Sequence, residues 1–284
     1  MGMGFSGGSL AVFTVLAPAG AVAFAIAAAF LLTHRSLPDV VRSRMNHALI
    51  VPLAVAWAGF IASATHLGTP ANALHAVEGI GRSPLSNEVA AVVAFLFAAG
   101  VYWLYTYKVS YSRRFADLLA GASVVACAAM VAMMALAYSV PTVPSWDTWH
   151  TPANLCLSAL TGGMSLGAAM MHAFRPETRR WHACALRILP VLIVLSTGML
   201  AWHSSFLAGV SNNVANAADS VPAYAASIVA FLALASAGWF MQRRSSKAAG
   251  WTACALDIGG CLLVFSAMLI ARLPFYASYL SAGF

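Results

Sequence analysis

The chain has 284 residues, of which 61% are hydrophobic and only 8% charged, with a mean hydropathy of +0.82. A soluble domain carries roughly 25% charged residues, so this protein cannot cover itself with polar surface. Its net charge of +7 does not indicate nucleic acid, because the Lys and Arg residues form small clusters between apolar runs rather than one stripe.

Apolar stretches occur near residues 9–33, 47–66, 88–107, 115–139, 152–174, 184–203, 222–241 and 251–273. A bilayer core about 30 Å thick needs about 20 apolar residues per helical crossing, so these predict one bundle of eight transmembrane helices and no other domain. The leading MGMGFSGGSL lacks the basic segment of a signal peptide, so the first run is expected to stay as a helix. Small-residue runs, AVAFAIAAA at 21–29 and GGMSLGAAM at 162–170, predict close helix packing. Pro18, Pro52 and Pro190 are candidate kinks. The five cysteines lie in apolar segments without a CxxC pair and read as free thiols. No internal repeat is evident from the pattern of apolar runs.

Basic residues alternate between the loops. Arg35, Arg42 and Arg44 follow the first helix; Lys108, Arg113 and Arg114 the third; Arg175, Arg179, Arg180 and Arg187 surround the loop after the fifth; Arg243, Arg244 and Lys247 follow the seventh. Of the 15 Lys and Arg residues only Arg82 and Arg272 fall elsewhere. Short basic loops stay cytoplasmic, so both termini are predicted to be periplasmic, in a bacterial inner membrane.

The face opposite the basic loops carries the long irregular segments: 66–88, 140–152 and 203–224. There His66 closes the second helix, Glu88 opens the third, and Arg272 near the end of the eighth is followed by Phe275 and Tyr276. Ionisable groups at such positions are functional candidates. A histidine base, a carboxylate relay and an arginine donor suit quinol oxidation, with Trp146 and Tyr276 flanking the ring. The plainer reading is that polar residues at helix ends meet the headgroups, and that Ser86, Asn87 and Glu88 cap a helix start. His66 and His203 on one face, with His47 and His172 on the other, also raise a cytochrome-b-like haem, although ligands for haem normally sit within the helices. Asp117 and Asp257, near the cytoplasmic face, are the nearest candidates for a transporter.

The strings on the outer face resemble those of the membrane anchor subunit of bacterial dimethyl sulfoxide reductase. The resemblance rests on FTV at 13–15, GFIAS at 59–63 with HLG at 66–68, LSNE at 85–88, TVPSW at 142–146 and Thr151-Pro152. Further along it rests on Gly162-Gly163, VPAY at 221–224, and Arg272 with Phe275 and Tyr276. It implies an anchor that is not itself catalytic for the terminal acceptor but oxidises menaquinol or another quinol. An iron-sulfur subunit and a molybdopterin subunit would dock at the periplasmic face and carry those cofactors. The resemblance further implies that His66 binds quinol and that Glu88 participates. The segment GFSGGSL departs from the family pattern, which has aromatic and acidic residues before the first helix. A purely structural anchor is the alternative reading.

Overall fold

The computed structural model describes residues 3–65, 78–108, 110–211 and 216–279. Within these, the long elements are helices: α1 (Met3–Thr33), α2 (Asp39–Ala48), α3 (Ile50–Ala64), α4 (Pro84–Thr106), α5 (Arg113–Ala137), α6 (His150–Ala173), α7 (Arg179–Leu207), α8 (Tyr224–Ser245) and α9 (Gly250–Ala277). With α2 and α3 taken as one run, eight of these are long and apolar enough to cross a membrane.

Several boundaries differ from the hydropathy reading, for local reasons. The second crossing starts at Asp39 rather than near 47, because the amphipathic α2 carries the polar residues that hydropathy discards. Arg42 is buried in it and donates to the carbonyls of Leu31 (3.2 Å) and His34 (2.7 Å). It thereby satisfies carbonyl groups that the end of α1 leaves free. A residue expected to serve only as a loop charge is a helix cap. On the other face, α9 runs through Pro274 to Ala277, so Arg272, Phe275 and Tyr276 lie inside a helix instead of straddling its end. Similarly α7 extends to Leu207 and takes His203 inside it.

The helices form two four-helix groups. In the first, α1 packs on α3 and α5, and α4 on α5; in the second, α6 packs on α7 and α9, and α8 on α9. The groups join through α1 against α6, with α5 touching α6 and α1 touching α9. Each contact in one group thus has its counterpart in the other, which describes a pseudo-twofold arrangement of two parallel halves. The sequence carries a trace of it that the pattern of apolar runs hides: His34 and Pro38-Asp39 follow α1 with the same spacing as His172 and Pro176-Glu177 at the end of α6.

The two helices at the join are the most enclosed, 67% of the apolar window being buried in α1 and 61% in α6, against 22–33% in the others. Small residues permit that crossing, as their runs predict. A Cβ on Gly163 would lie 2.4 Å from Val22 Cβ, and one on Gly59 would lie 2.4 Å from the backbone nitrogen of Ala17. Contact of this kind is what draws helices together in a solvent as apolar as they are. Gly59→Ala is therefore expected to destabilise the bundle by about 1–3 kcal/mol. Gly100→Ala, whose Cβ meets nothing within 4 Å, should be neutral or stabilising by up to about 1 kcal/mol through helix propensity. Thermal unfolding of the two purified variants in detergent checks the contrast.

Candidate functional site

Helix ends converge at the face opposite the basic loops: the starts of α1, α4, α6 and α8 and the ends of α5, α7 and α9 surround the turn-rich segment 138–149. The two terminal helices touch there, Thr14 Oγ1 lying 3.1 Å from the Tyr276 hydroxyl. Successive backbone turns fold 138–149 inward, with the Trp146 amide donating to the Val143 carbonyl at 2.8 Å. Thr151, at the start of α6, fixes the turn by donating to the Trp146 carbonyl at 2.7 Å.

Trp146 is thereby laid on α9. Its indole N–H donates to the Phe275 carbonyl (2.9 Å), one of the carbonyls that a helix end leaves unpaired, and its ring stacks on Phe275 at 4.9 Å and 13°. Tyr276 stands nearly perpendicular to Trp146 at 5.9 Å, and Tyr138 packs edge-on against both Phe275 (6.1 Å) and Tyr276 (5.9 Å). The result is an aromatic cage with phenol hydroxyls. Tyr138 lies just beyond the membrane-spanning part of α5, and burial pushes its phenol well above the ordinary tyrosine range, so that it stays a hydrogen-bond donor.

Arg272 lies one turn deeper in α9, 3% exposed, with its guanidinium over the Phe275 ring at 5.5 Å. One terminal nitrogen, Nη2, is buried with no hydrogen-bond partner among the described residues. A hollow of about 10 Å³, room for one water, adjoins Arg272 and is lined by the polar groups of Asn154, Ser158, Thr161 and Ser196.

Glu88 is more deeply placed than its sequence context suggests. The expected start of the third helix at 88 moves to Pro84, a residue well suited to a first helical position. Glu88 is then more than a turn inside, beyond the four unpaired N–H groups that a helix start offers, and the capping reading of this carboxylate is corrected. Asn87 takes the turn instead, its Oδ1 accepting from the Gly81 N–H at 2.7 Å. Glu88 is 1% exposed, and neither carboxylate oxygen has a partner among the described residues. Glu88 and Arg272 both lie within electrostatic reach of the Tyr138 and Tyr276 phenols.

Of the residues expected at a site, Trp146, Arg272 and Tyr276 are brought together, with Glu88 beside them. His66 lies outside the described residues. Three further residues were not expected there. Tyr224 and His203 form a buried pair, Nδ1 to hydroxyl 2.7 Å, and the other ring nitrogen of His203 lies 3.4 Å from the Ser145 carbonyl. Both nitrogens of His203 are thus engaged within the protein, where an axial haem ligand must present one to iron. Tyr138, the third, carried no sequence signal beyond its place at a helix end. Tyr224 was legible in VPAY, though with no role attached.

A sequence model of the DMSO reductase anchor subunit family (DmsC) matches residues 1–278. The protein is 29% identical over 290 residues to the YnfH subunit of anaerobic dimethyl sulfoxide reductase from Escherichia coli K12, an overlap of 100% of its own length and 98% of the relative's. It is 28% identical over 278 residues to the C subunit of anaerobic dimethyl sulfoxide reductase from Haemophilus influenzae, an overlap of 96% and 95%. To the C subunit of the Escherichia coli K12 enzyme it is 28% identical over 295 residues, an overlap of 100% and 98%.

Proposed function

The protein belongs to the DMSO reductase anchor subunit family, and on that premise we propose that it oxidises a quinol, menaquinol or a related one, at the face opposite its basic loops. Electrons then pass to an iron-sulfur subunit docked on that face and onward to a molybdopterin subunit. The charge alternation supports a periplasmic position for this face, in a bacterial inner membrane, with both termini there.

The observation that carries this reading is that two buried ionisable side chains, Arg272 through Nη2 and Glu88 through both oxygens, leave polar atoms without a hydrogen-bond partner among the described residues, close to the aromatic cluster of Trp146, Phe275, Tyr276 and Tyr138. An unpaired charge in a membrane protein's interior is costly and persists where a ligand uses it. A quinol has two hydroxyls on a flat ring. Arg272 supplies a donor aimed at one ring oxygen and stabilises the negative charge that develops there as the hydroxyl loses its proton. Glu88 accepts a proton and hands it to the outer face. Trp146, Phe275 and Tyr276 hold the ring by stacking, and Tyr138 adds a neutral donor. His66, from the segment adjoining Glu88 in sequence, is the proposed second proton acceptor. The anchor binds no redox metal of its own in this scheme, since the two electrons leave directly for the docked subunit.

The test is binding of a fluorescent quinone-analogue inhibitor to membranes that contain the assembled complex. Trp146→Ala removes one ring of the aromatic cluster and the hydrogen bond to Phe275, so affinity is expected to fall about thirtyfold, stacking and desolvation each contributing on the order of 1 kcal/mol. Unchanged affinity in a variant that still assembles would remove Trp146 from the site.

A further inference from the structure

A groove of about 820 Å³ lies on the other side of the molecule, between α3 of the first half and α6 and α9 of the second. Its walls are apolar, including Val55, Leu166, Met170 and Phe265, and its rim residues Val51, Ile258 and Leu262 are 48–63% exposed, so it opens sideways. It follows α9 from Ala253 to Leu269, about 24 Å at the helical rise. Ser266 apart, its polar lining gathers at one end. There, near the basic loops, Asp257 Oδ2 accepts from His172 Nδ1 at 2.5 Å, and Ser245 Oγ lies 2.5 Å from Asp257 Oδ1. The His182 ring stacks on His172 at 4.8 Å and 15°, with its Nε2 buried and unpartnered among the described residues.

The equivalent corner of the other half, by the correspondence of helix contacts, is built differently. The corresponding corner of the first half joins the end of α1 to the start of α5, and it is closed by an ion pair between Arg35 and Asp117 at 3.4 Å, 79% and 29% exposed. His34, the counterpart of His172, stacks on Phe30 and bonds to Thr33. Only the second half draws its histidine and aspartate inward, to the end of an apolar groove, at the cost of burying them.

We propose that this groove is a second lipophile site, distinct from the one at the opposite face, and that it takes an isoprenoid quinol with its ring against His172 and its tail along α9. With Nδ1 committed to Asp257, Nε2 is the ring nitrogen left to meet a ligand oxygen. Among the described residues no Lys or Arg lines the groove and a carboxylate stands at its end, which disfavours the phosphate of a phospholipid. A single long, mostly apolar channel with a hydrogen-bonding terminus free of Lys and Arg matches a prenylated ring, and its volume lies within the range of small-molecule sites. The proposal stands independently of where oxidation occurs.

The experiment uses native membranes with the assembled complex and a naphthoquinol that carries a diazirine in a prenyl tail, kept reduced under nitrogen, with labelled peptides mapped by mass spectrometry. Label is expected on α6 around Met170 and on α9 between Ala253 and Leu262. Ala253→Trp, which adds bulk to the groove wall while leaving His172 and Asp257 in place, should lower that label by about tenfold. His172→Ala should lower it about fivefold to tenfold through the lost hydrogen bond. Arg272→Met should leave it unchanged while reducing label near Phe275, which separates failure here from failure of the outer site. Absence of groove label in the wild type, or label that survives Ala253→Trp, overturns the proposal. So does a diazirine phospholipid that labels the groove and resists displacement by the quinol.

Discussion

Arg272→Met is expected to lower quinol oxidation by about 100-fold, the loss typical for one preorganised donor in a closed site, while leaving the bundle as stable as before or more so. The two effects run in opposite directions because the guanidinium is buried with Nη2 unpaired among the described residues, so that its contact with the Phe275 ring only partly offsets the cost of burying it. Methionine fills a similar volume along α9 without that charge, and replacing buried ionic groups by apolar ones has been neutral or stabilising by about 1–4 kcal/mol. Turnover with a short-tailed menaquinol analogue gives the first number and thermal unfolding in detergent the second. A purely structural arginine would give the reverse: destabilisation, with activity falling only as assembled complex is lost.

Glu88→Gln is the second large effect. The glutamine keeps the shape and burial of the side chain but cannot take up a proton, and general base contributions are typically about 10²–10⁴-fold. Oxidation is expected to fall by about 100-fold or more, with assembly intact, because neither oxygen of Glu88 makes a hydrogen bond among the described residues that the amide would lose. Affinity for a quinone analogue should change little. A variant that oxidised quinol at the wild-type rate would take Glu88 out of the proton path.

Much of the architecture was legible because lipid imposes it. Eight apolar runs separated by alternately basic and neutral loops leave few arrangements open, and the small residues at 162–170 and 21–29 marked the crossing of α6 and α1. What escaped was what hydropathy averages away. The second crossing began early because α2 is amphipathic and its Arg42 caps α1, an interaction between residues that reads as loop charge in the sequence. Glu88 looked like a cap because Ser86 and Asn87 precede it; only the start at Pro84 reveals that it faces inward.

The site was legible in part, and for a reason of geometry. Trp146, Arg272 and Tyr276 were identifiable as polar or amphipathic residues at one membrane face, but their convergence depends on the turns at 138–149 folding over α9. Tyr138 carries no local motif, Tyr224 was visible in VPAY without a role, and His203 was visible only as a histidine at that face; what the three do follows from which helix ends meet. The correspondence of helix contacts between the halves is similarly faint in sequence, because it is a matter of which helices pack together and the two halves place different residues at equivalent corners. His172 and Asp257 turned inward, whereas Arg35 and Asp117 stayed at the surface.

The most direct test of the central claim is a single turnover: a menaquinol analogue mixed rapidly with the assembled complex, with reduction of the docked subunit's iron-sulfur clusters followed by electron paramagnetic resonance. The account predicts fast reduction in the wild type and reduction slowed by about 100-fold in both Glu88→Gln and Arg272→Met, with cluster signals otherwise normal. Clusters that fill at the wild-type rate in both variants would show that electrons enter elsewhere, and the outer cage would then be no more than packing.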